Sequence, residues 1–469
     1  MLEIRNPATL EPLGSVPDCG PVEVAGAVAA ARAAQQPWRE LAPTDRATLL
    51  REIAARVNAR ERELASLLTR ESGKPLCESF DCIDGVVALF EACAAADRPA
   101  AQRTGVVAAI LPFNFPLLLM AAEIAAAISA GNAVICKPPP QNPLACLMFA
   151  ELLDLLPPGL VTVLTGGPAT GRALIDHPDV GLVAFTGSAA VGRQIAAAAP
   201  RTPIELELGG VDALIVCADA DLDVAVPAIA WNRLMNGGQA CATGKHIYVA
   251  RPIIGEFVER MHQCIGFLDV DDPLKPATDL GPLISLDAAR RVEDQVGRTL
   301  RDGARLILGG RRFRPSGLPG HFFQPTILTN VRPGSVPTRE EILGPVMTMT
   351  PVAGLAEAIA LAADSRGGLG ASIFTQDIEA ARKDLDAIAV GQFRINDPLR
   401  GAAAGPLGGM RHRAIRGMLG GESSGAILQP KQVDTAVRLE PKPWWFPYAA
   451  RNAANRSHAG GRIDVRVTR

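Results

Sequence analysis

Aromatic residues are scarce in this 469-residue chain, at 4%, with only two tyrosines. That leaves little basis for an aromatic cage around a cationic ligand. Charge of one sign is lacking as well. Forty-seven basic residues stand against 49 acidic ones, so no global field recruits nucleic acid. The locally basic end, 451–469, reads as a solvated tail. Nine cysteines are present without any Cys-x-x-Cys pair. The odd count and missing framework argue against a disulfide-stapled secreted protein. The six histidines show no metal spacing, so no metal site is expected. Met1-Leu2-Glu3-Ile4-Arg5-Asn6-Pro7 has neither the basic region nor the apolar core of a signal peptide. A cytoplasmic setting is expected from these features.

A long uninterrupted apolar run is also missing. Phe115 to Ile135 comes nearest, broken by Glu123, Ser129 and Asn132 and containing Pro116 and Gly131. A spanning helix needs roughly 20 predominantly apolar residues. Gly131-Asn132 reads instead as a helix stop before a buried strand, and no membrane partner is expected.

What is present is a globular composition, 48% hydrophobic and 20% charged, long enough for two or three domains. Residues 20–36, 43–71 and 81–96 have helical spacing. A strand–helix alternation then runs through strands at 106–111, 133–136, 160–164, 181–185 and 204–208. Helices at 116–130, 143–156, 169–176 and 188–198 separate them. This predicts a doubly wound parallel sheet with helices on both faces and a ligand beyond the strands' carboxyl ends. A second α/β rhythm follows, with strands at 213–216, 247–249, 305–308 and 371–374. Its helices are read at 222–235, 252–266, 285–302, 355–364 and 378–387. No repeat of fixed period appears.

Cys241 is the strongest chemical signal. It sits in Asn236-Gly237-Gly238-Gln239-Ala240-Cys241-Ala242-Thr243-Gly244-Lys245, downstream of Leu206-Glu207-Leu208-Gly209-Gly210. A cysteine in a glycine-rich loop with an upstream carboxylate can supply a thiolate nucleophile and a base. Attack on a carbonyl, then base-assisted hydrolysis of the thioester, is a coherent two-step chemistry. Phe185-Thr186-Gly187-Ser188 ends a strand and opens a helix that continues through Val191-Gly192. Such an N-terminus can seat a pyrophosphate, or Ser188 can be a plain cap. No G-x-G-x-x-G follows a strand. Asn114, in Ile110-Leu111-Pro112-Phe113-Asn114-Phe115-Pro116, can aim its amide at an oxyanion or satisfy a turn. Lys137 before Pro138 can reach ribose or phosphate, or be a solvated charge. Glu341, in Glu340-Glu341-Ile342-Leu343-Gly344-Pro345-Val346, can take ribose hydroxyls or lie at the surface. Gly421-Glu422-Ser423-Ser424-Gly425 matches a hydrolase nucleophile elbow, but it has no strand before it and no helix after it. It is read as a chance match.

The order and spacing of these motifs resemble the aldehyde dehydrogenase superfamily, from about Asn6 to about Gln432. Asn6-Pro7-Ala8-Thr9, Glu71-Ser72-Gly73-Lys74-Pro75, Gly131-Asn132-Ala133-Val134 and Asp279-Leu280-Gly281-Pro282-Leu283-Ile284 belong to the same co-linear set. The resemblance implies an aldehyde-dehydrogenase-like α/β fold: a doubly wound parallel-sheet cofactor domain at 1–209 and an α/β catalytic domain at 210–405. Residues 406–469 would return to the cofactor domain with a bridging strand and tail. It implies Cys241 as nucleophile, Glu207 as general base, and Asn114 with the Cys241 N–H as oxyanion hole. Lys137 and Glu341 would meet the two riboses, and Gly187 and Ser188 the pyrophosphate. Ile110, Pro112, Phe113, Gly167, Gly171, Phe185, Thr186, Val191, Leu208, Gly209 and Leu343 would border the cofactor. The cofactor is NAD or NADP, with NAD favoured, and the substrate is a small-molecule aldehyde.

Four departures bear on these implications. The chain is short between Cys93 and Val106, where relatives carry strands used in oligomerisation, which weakens the homo-oligomer the resemblance implies. Pro140 stands where relatives often have a small or acidic residue, leaving NAD against NADP open. Leu343 replaces the usual phenylalanine. Pro406-Leu407-Gly408-Gly409-Met410-Arg411-His412-Arg413 lacks a serine-glycine pair near the substrate entrance. Two other readings follow: a coenzyme-A-acylating relative, against which Glu207 argues, and a catalytically silent nucleotide-binding paralogue. The cluster Trp444-Trp445-Phe446-Pro447-Tyr448 is expected to pack on the core or on a partner subunit.

Overall fold

The computed structural model describes residues 1–96, 104–199, 202–364, 368–383, 387–398, 432–436 and 440–449. Three sheets organise them. A small antiparallel hairpin pairs β1 (Leu2–Arg5) with β2 (Pro12–Val16). The first large sheet holds β3 (Val106–Ile110), β4 (Ala133–Lys137), β5 (Val161–Val163), β6 (Leu182–Gly187) and β7 (Ile204–Leu208). Its order is β5-β4-β3-β6-β7, and every pairing is parallel. The strand order reverses between β3 and β6, so a crevice opens at their carboxyl ends.

The second large sheet has eight strands: β8 (Asp212–Val216), β9 (Gly244–Ala250), β10 (Arg305–Leu308), β11 (Thr326–Thr329), β12 (Val346–Val352), β13 (Gly370–Phe374), β14 (Gln392–Ile395) and β15 (Gln432–Thr435). The order is β10-β11-β12-β9-β8-β13-β14-β15, parallel except for β10 against β11. The segment expected to return to the first domain behaves otherwise in its described strand. β15 pairs with β14 in the second sheet, Gln392 opposite Gln432.

The expected rhythm is present, with instructive differences. The helix read at 43–71 is two, Pro43–Ala59 and Glu61–Ser72, broken at Arg60. The buried stripe continues from Val57 to Leu64 at seven-residue spacing, so periodicity hides the break. The helix read at 143–156 ends at Glu151. Leu152, Leu153 and Leu156 donate to carbonyls three residues back, a tightening before Pro157 and Pro158, which disfavour helix at the residues preceding them. β9 starts at Gly244, three residues ahead of expectation, because polar residues continue it inside the core. His246 lies between the Thr348 and Thr350 hydroxyls at 2.7 Å each. Burial pushes this imidazole down to about 3, so it is neutral.

Pro116–Ser129 is a helix and β4 follows it, so the apolar 115–135 stretch is two buried elements. Among the described residues no helix is long and apolar enough to cross a membrane. The first sheet and its helices share one core, and the second sheet has cores on its two faces. Trp445, Phe446 and Tyr448 pack into one of the latter.

Candidate active site

The two large sheets meet where the first presents carboxyl ends and the second presents amino ends. β8, β9 and β12 are adjacent and parallel. Their amino ends therefore carry three loops side by side: Leu208 to Val211, the Cys241 loop, and Glu341 to Pro345. The sequence separates these loops widely, and the strand order brings them together.

In the first sheet, register aligns several predicted cofactor residues. Lys137, Ile110 and Phe185 form one row across β4, β3 and β6. Thr186 lies opposite Glu207, and Gly187 opposite Leu208. The Gly209 N–H donates to the Gly187 carbonyl at 3.0 Å. Gly167 caps the Pro168–Asp176 helix, and its N–H donates to Asp18 Oδ1 at 2.9 Å. Gly171 faces the Lys137 stem, and a Cβ there would sit 3.7 Å from Cε. Lys137 Nζ donates to the Pro138 and Gly166 carbonyls, each at 2.9 Å. Burial pushes this ammonium down to about 8, with Asp18 opposing the shift.

Ser188 caps the ten-residue Ala189–Ala198 helix, its hydroxyl accepting from the Val191 N–H at 3.3 Å. Val191 is exposed. A helix N-terminus open to solvent at a topological switch point suits a phosphate-bearing ligand. Phe113 and Leu343 line one cleft with Glu341, Gln141 and Arg291. Glu341 passes over Gly209, where a Cβ would come 1.9 Å from Oε2. Only glycine leaves room for that approach. These residues fit an elongated anionic dinucleotide: a helix N-terminus, a buried ammonium, a carboxylate and a partly apolar cleft.

The nucleophile loop is held from three sides. Lys245 is buried beneath it and donates to the carbonyls of Ala240 at 2.7 Å, Cys241 at 3.1 Å and Thr243 at 2.9 Å. It also pairs with Glu341 Oε1 at 3.6 Å. Arg233, fully buried, donates to Gly238 O at 3.2 Å and Ile342 O at 2.8 Å. Burial pushes it down to about 10, with Glu341 opposing, so it stays charged. These two cations fasten the Cys241 loop to the Glu341 loop. Asn236, Gly237 and Gly238 all have positive φ, at 54°, 63° and 72°. At Gly238 a Cβ would lie 2.1 Å from Gly344 O.

Asn114 is buried after β3. Its Oδ1 accepts from the Phe115 N–H at 3.0 Å, and its carbonyl accepts from Asn236 Nδ2 at 3.1 Å. The same Asn236 amide reaches Gln239 O at 3.3 Å. The asparagine and the cysteine loop thus share a hydrogen-bonded joint. Glu207, buried near the end of β7, stands one strand from Thr186. A thiol, a buried carboxylate and a fixed amide at one interface can support acyl transfer through a thioester.

Sequence reasoning missed Lys245, Arg233, Arg291, Glu78 and Asn236. The available signal was strongest for Glu78, an acidic residue on the buried stripe it shares with Cys82 and Val86 in the Leu76–Ala95 helix. The variant 406–413 loop, the 421–425 motif, the 451–469 tail and residues 97–103 of the shortened 93–106 stretch lie outside the described residues. Glu71 of the Glu-Ser-Gly-Lys-Pro motif accepts from Leu144 N at 2.7 Å and Ala145 N at 2.9 Å. It therefore anchors a helix start.

Comparison with known proteins bears on this geometry. The family model described as the aldehyde dehydrogenase family matches residues 1–433. The chain is 38% identical to the 3,6-anhydro-alpha-L-galactose dehydrogenase of Streptomyces coelicolor, over 84% of this chain and 85% of that protein. The crystal structure of lactaldehyde dehydrogenase from Escherichia coli superposes with a TM-score of 0.85 at 33% identity, covering 89% of this chain and 91% of that one. The NAD-dependent aldehyde dehydrogenase from Sinorhizobium meliloti superposes at 0.86 with 32% identity, covering 89% and 88%.

Proposed function

The chain belongs to the aldehyde dehydrogenase family, and from that premise we propose that Cys241, Glu207 and Asn114 perform its oxidation of an aldehyde to a carboxylic acid. The enzyme is an NAD(P)-dependent oxidoreductase. The single observation that carries the residue roles is the joint at Asn236, which ties the Asn114 carbonyl to the Cys241 loop.

Cys241, as thiolate, adds to the aldehyde carbon. The Asn114 amide, its Oδ1 already engaged by Phe115 N–H, turns its Nδ2 donors to the developing oxyanion, joined by the Cys241 N–H. When bound, NAD(P) would supply the hydride-accepting chemistry by which the Cys241 adduct becomes an acyl thioester. Glu207 then takes a proton from water as that water attacks the thioester, releasing the acid and restoring the thiol. Lys137, Ser188, Gly187 and Gly209 would hold the cofactor along the first sheet, with Glu341, Arg291, Phe113 and Leu343 at the cleft. Ile110, Pro112, Gly167, Gly171, Phe185, Thr186, Val191 and Leu208 would border it. We draw the cofactor-binding part at 1–209 and the catalytic part at 210–405, and we read the oligomer as homomeric and the setting as cytoplasmic.

The test is absorbance at the reduced-nicotinamide band, with NAD and NADP offered separately. Lactaldehyde, 3,6-anhydrogalactose, aliphatic aldehydes and semialdehydes serve as substrates. The expected result is reduction that Cys241→Ala lowers on the order of 10⁴-fold or more, while cofactor binding persists. Turnover retained in Cys241→Ala would remove the nucleophile assignment. Turnover that requires added coenzyme A would replace hydrolysis with acyl transfer to that thiol.

A further inference from the structure

Glu78 has no part in the chemistry above, yet its carboxylate reaches the backbone of the nucleophile loop. It lies on the inner face of the Leu76–Ala95 helix, outside both large sheets, and is buried. Oε2 accepts from the Asn236 N–H at 2.8 Å, and Oε1 accepts from the Tyr448 hydroxyl at 2.7 Å. Tyr448 is fully buried, and its own N–H donates to Asp279 Oδ1 at 2.6 Å. Asn236 has φ 54° and ψ 34°, a left-handed conformation that asparagine tolerates better than most non-glycine residues. From that conformation its side chain reaches Asn114 O and Gln239 O. Its carbonyl accepts from Gln239 Nε2 at 3.0 Å, and Gln239 Oε1 accepts from Ile284 N at 3.0 Å.

We infer that Glu78 is a positioning residue for the nucleophile: held by Tyr448, it fixes Asn236 in the left-handed turn from which Asn236 keeps Asn114 and the Cys241 loop in one register. A carboxylate suits this place because both its oxygens accept, and the two partners are both donors. Burial pushes the Glu78 carboxyl up to about 7, and the buried Lys74, four residues earlier, opposes that shift. The same Lys74 ammonium sits 3.6 Å from the Phe115 ring centroid, next to Asn114. Two buried groups four positions apart, Lys74 just ahead of the helix and Glu78 within it, thus bear on the segments that carry Asn114 and Cys241.

The inference rests on Cys241 being the nucleophile, so the experiment carries Cys241→Ala beside the new variants. Glu78→Ala, Glu78→Gln and Tyr448→Phe are compared by kcat, by cofactor KM, by melting temperature and by the alkylation rate of Cys241, read by peptide mapping. Glu78→Ala is expected to lower kcat and the alkylation rate 10- to 100-fold, leaving cofactor KM within two-fold. Glu78→Gln is expected to restore most of both, since its amide oxygen still accepts from Asn236 and its Nε2 can donate to the Tyr448 oxygen. Tyr448→Phe is expected to show a smaller loss of the same kind. If Glu78→Ala does not fold, Tyr448→Phe carries the test. Unchanged kcat and alkylation in a folded Glu78→Ala or Tyr448→Phe, with Cys241→Ala inactive, would overturn the positioning role alone. An active Cys241→Ala would overturn the nucleophile reading instead.

Discussion

The cofactor side and the nucleophile side of this interface are held in different ways. Along the first sheet, strand ends, a helix N-terminus and glycine clearances shape the surface, and Ser188 and Val191 face outward. Along the second sheet, the Cys241 loop is fastened by Lys245 and Arg233 to the Glu341 loop and by Asn236 to Glu78 and Asn114. A surface that takes up and releases a ligand at each turnover gains little from internal ties. A thiol that must meet a carbonyl at bonding distance gains a great deal, because a small misplacement costs rate steeply.

This contrast can be broken at its seam. Glu207 ends the first sheet beside the three loops of the second. Glu207→Gln is expected to let an acyl-enzyme form and to slow its hydrolysis on the order of 10²- to 10⁴-fold. Burst-phase kinetics check it, and a lost burst with unchanged hydrolysis would reverse the role. Next in size is Gly238→Ala. The added Cβ meets Gly344 O at 2.1 Å, on a backbone of φ 72°. Strain of about 1–3 kcal/mol is expected in the melting curve, with kcat falling and cofactor affinity nearly constant. Equal losses in both would erase the contrast between the two sides.

The smallest effect belongs to the cofactor side. Lys137 is cationic below about pH 8 and loses its proton above it. An anionic cofactor is expected to bind with constant affinity below that pH and more weakly as pH rises through it. In Lys137→Met binding should be about tenfold weaker and flat across the same range. Titration calorimetry at several pH values decides between the two behaviours.

The first sheet was readable because most of its strands are short, largely apolar runs set between helices, while β7, Ile-Glu-Leu-Glu-Leu, shows strand alternation. The second was only partly readable. β9 and β14 carry Lys245, His246, Gln392 and Arg394 inside the core, so their polarity conceals buried strands. The motif residues Cys241, Glu207, Asn114 and Glu341 stood out because each lies in or beside a glycine- or proline-rich turn. Lys245 and Arg233 did not, since a buried cation that serves carbonyl groups looks in sequence like any surface charge. Glu78 and Tyr448 are 370 positions apart, and no local pattern announces a hydrogen bond of that span.

The turn at Asn236, Gly237 and Gly238 also limits how the enzyme can change over generations. Translation supplies L-residues, and a run of three with positive φ admits few of them besides glycine and asparagine. At Gly238 even the smallest side chain is shut out by Gly344. The cleft walls, Phe113 and Leu343 among them, carry no such restriction. The handedness of three peptide units before the thiol has almost no neutral alternatives, and lineages that vary widely elsewhere should converge on it.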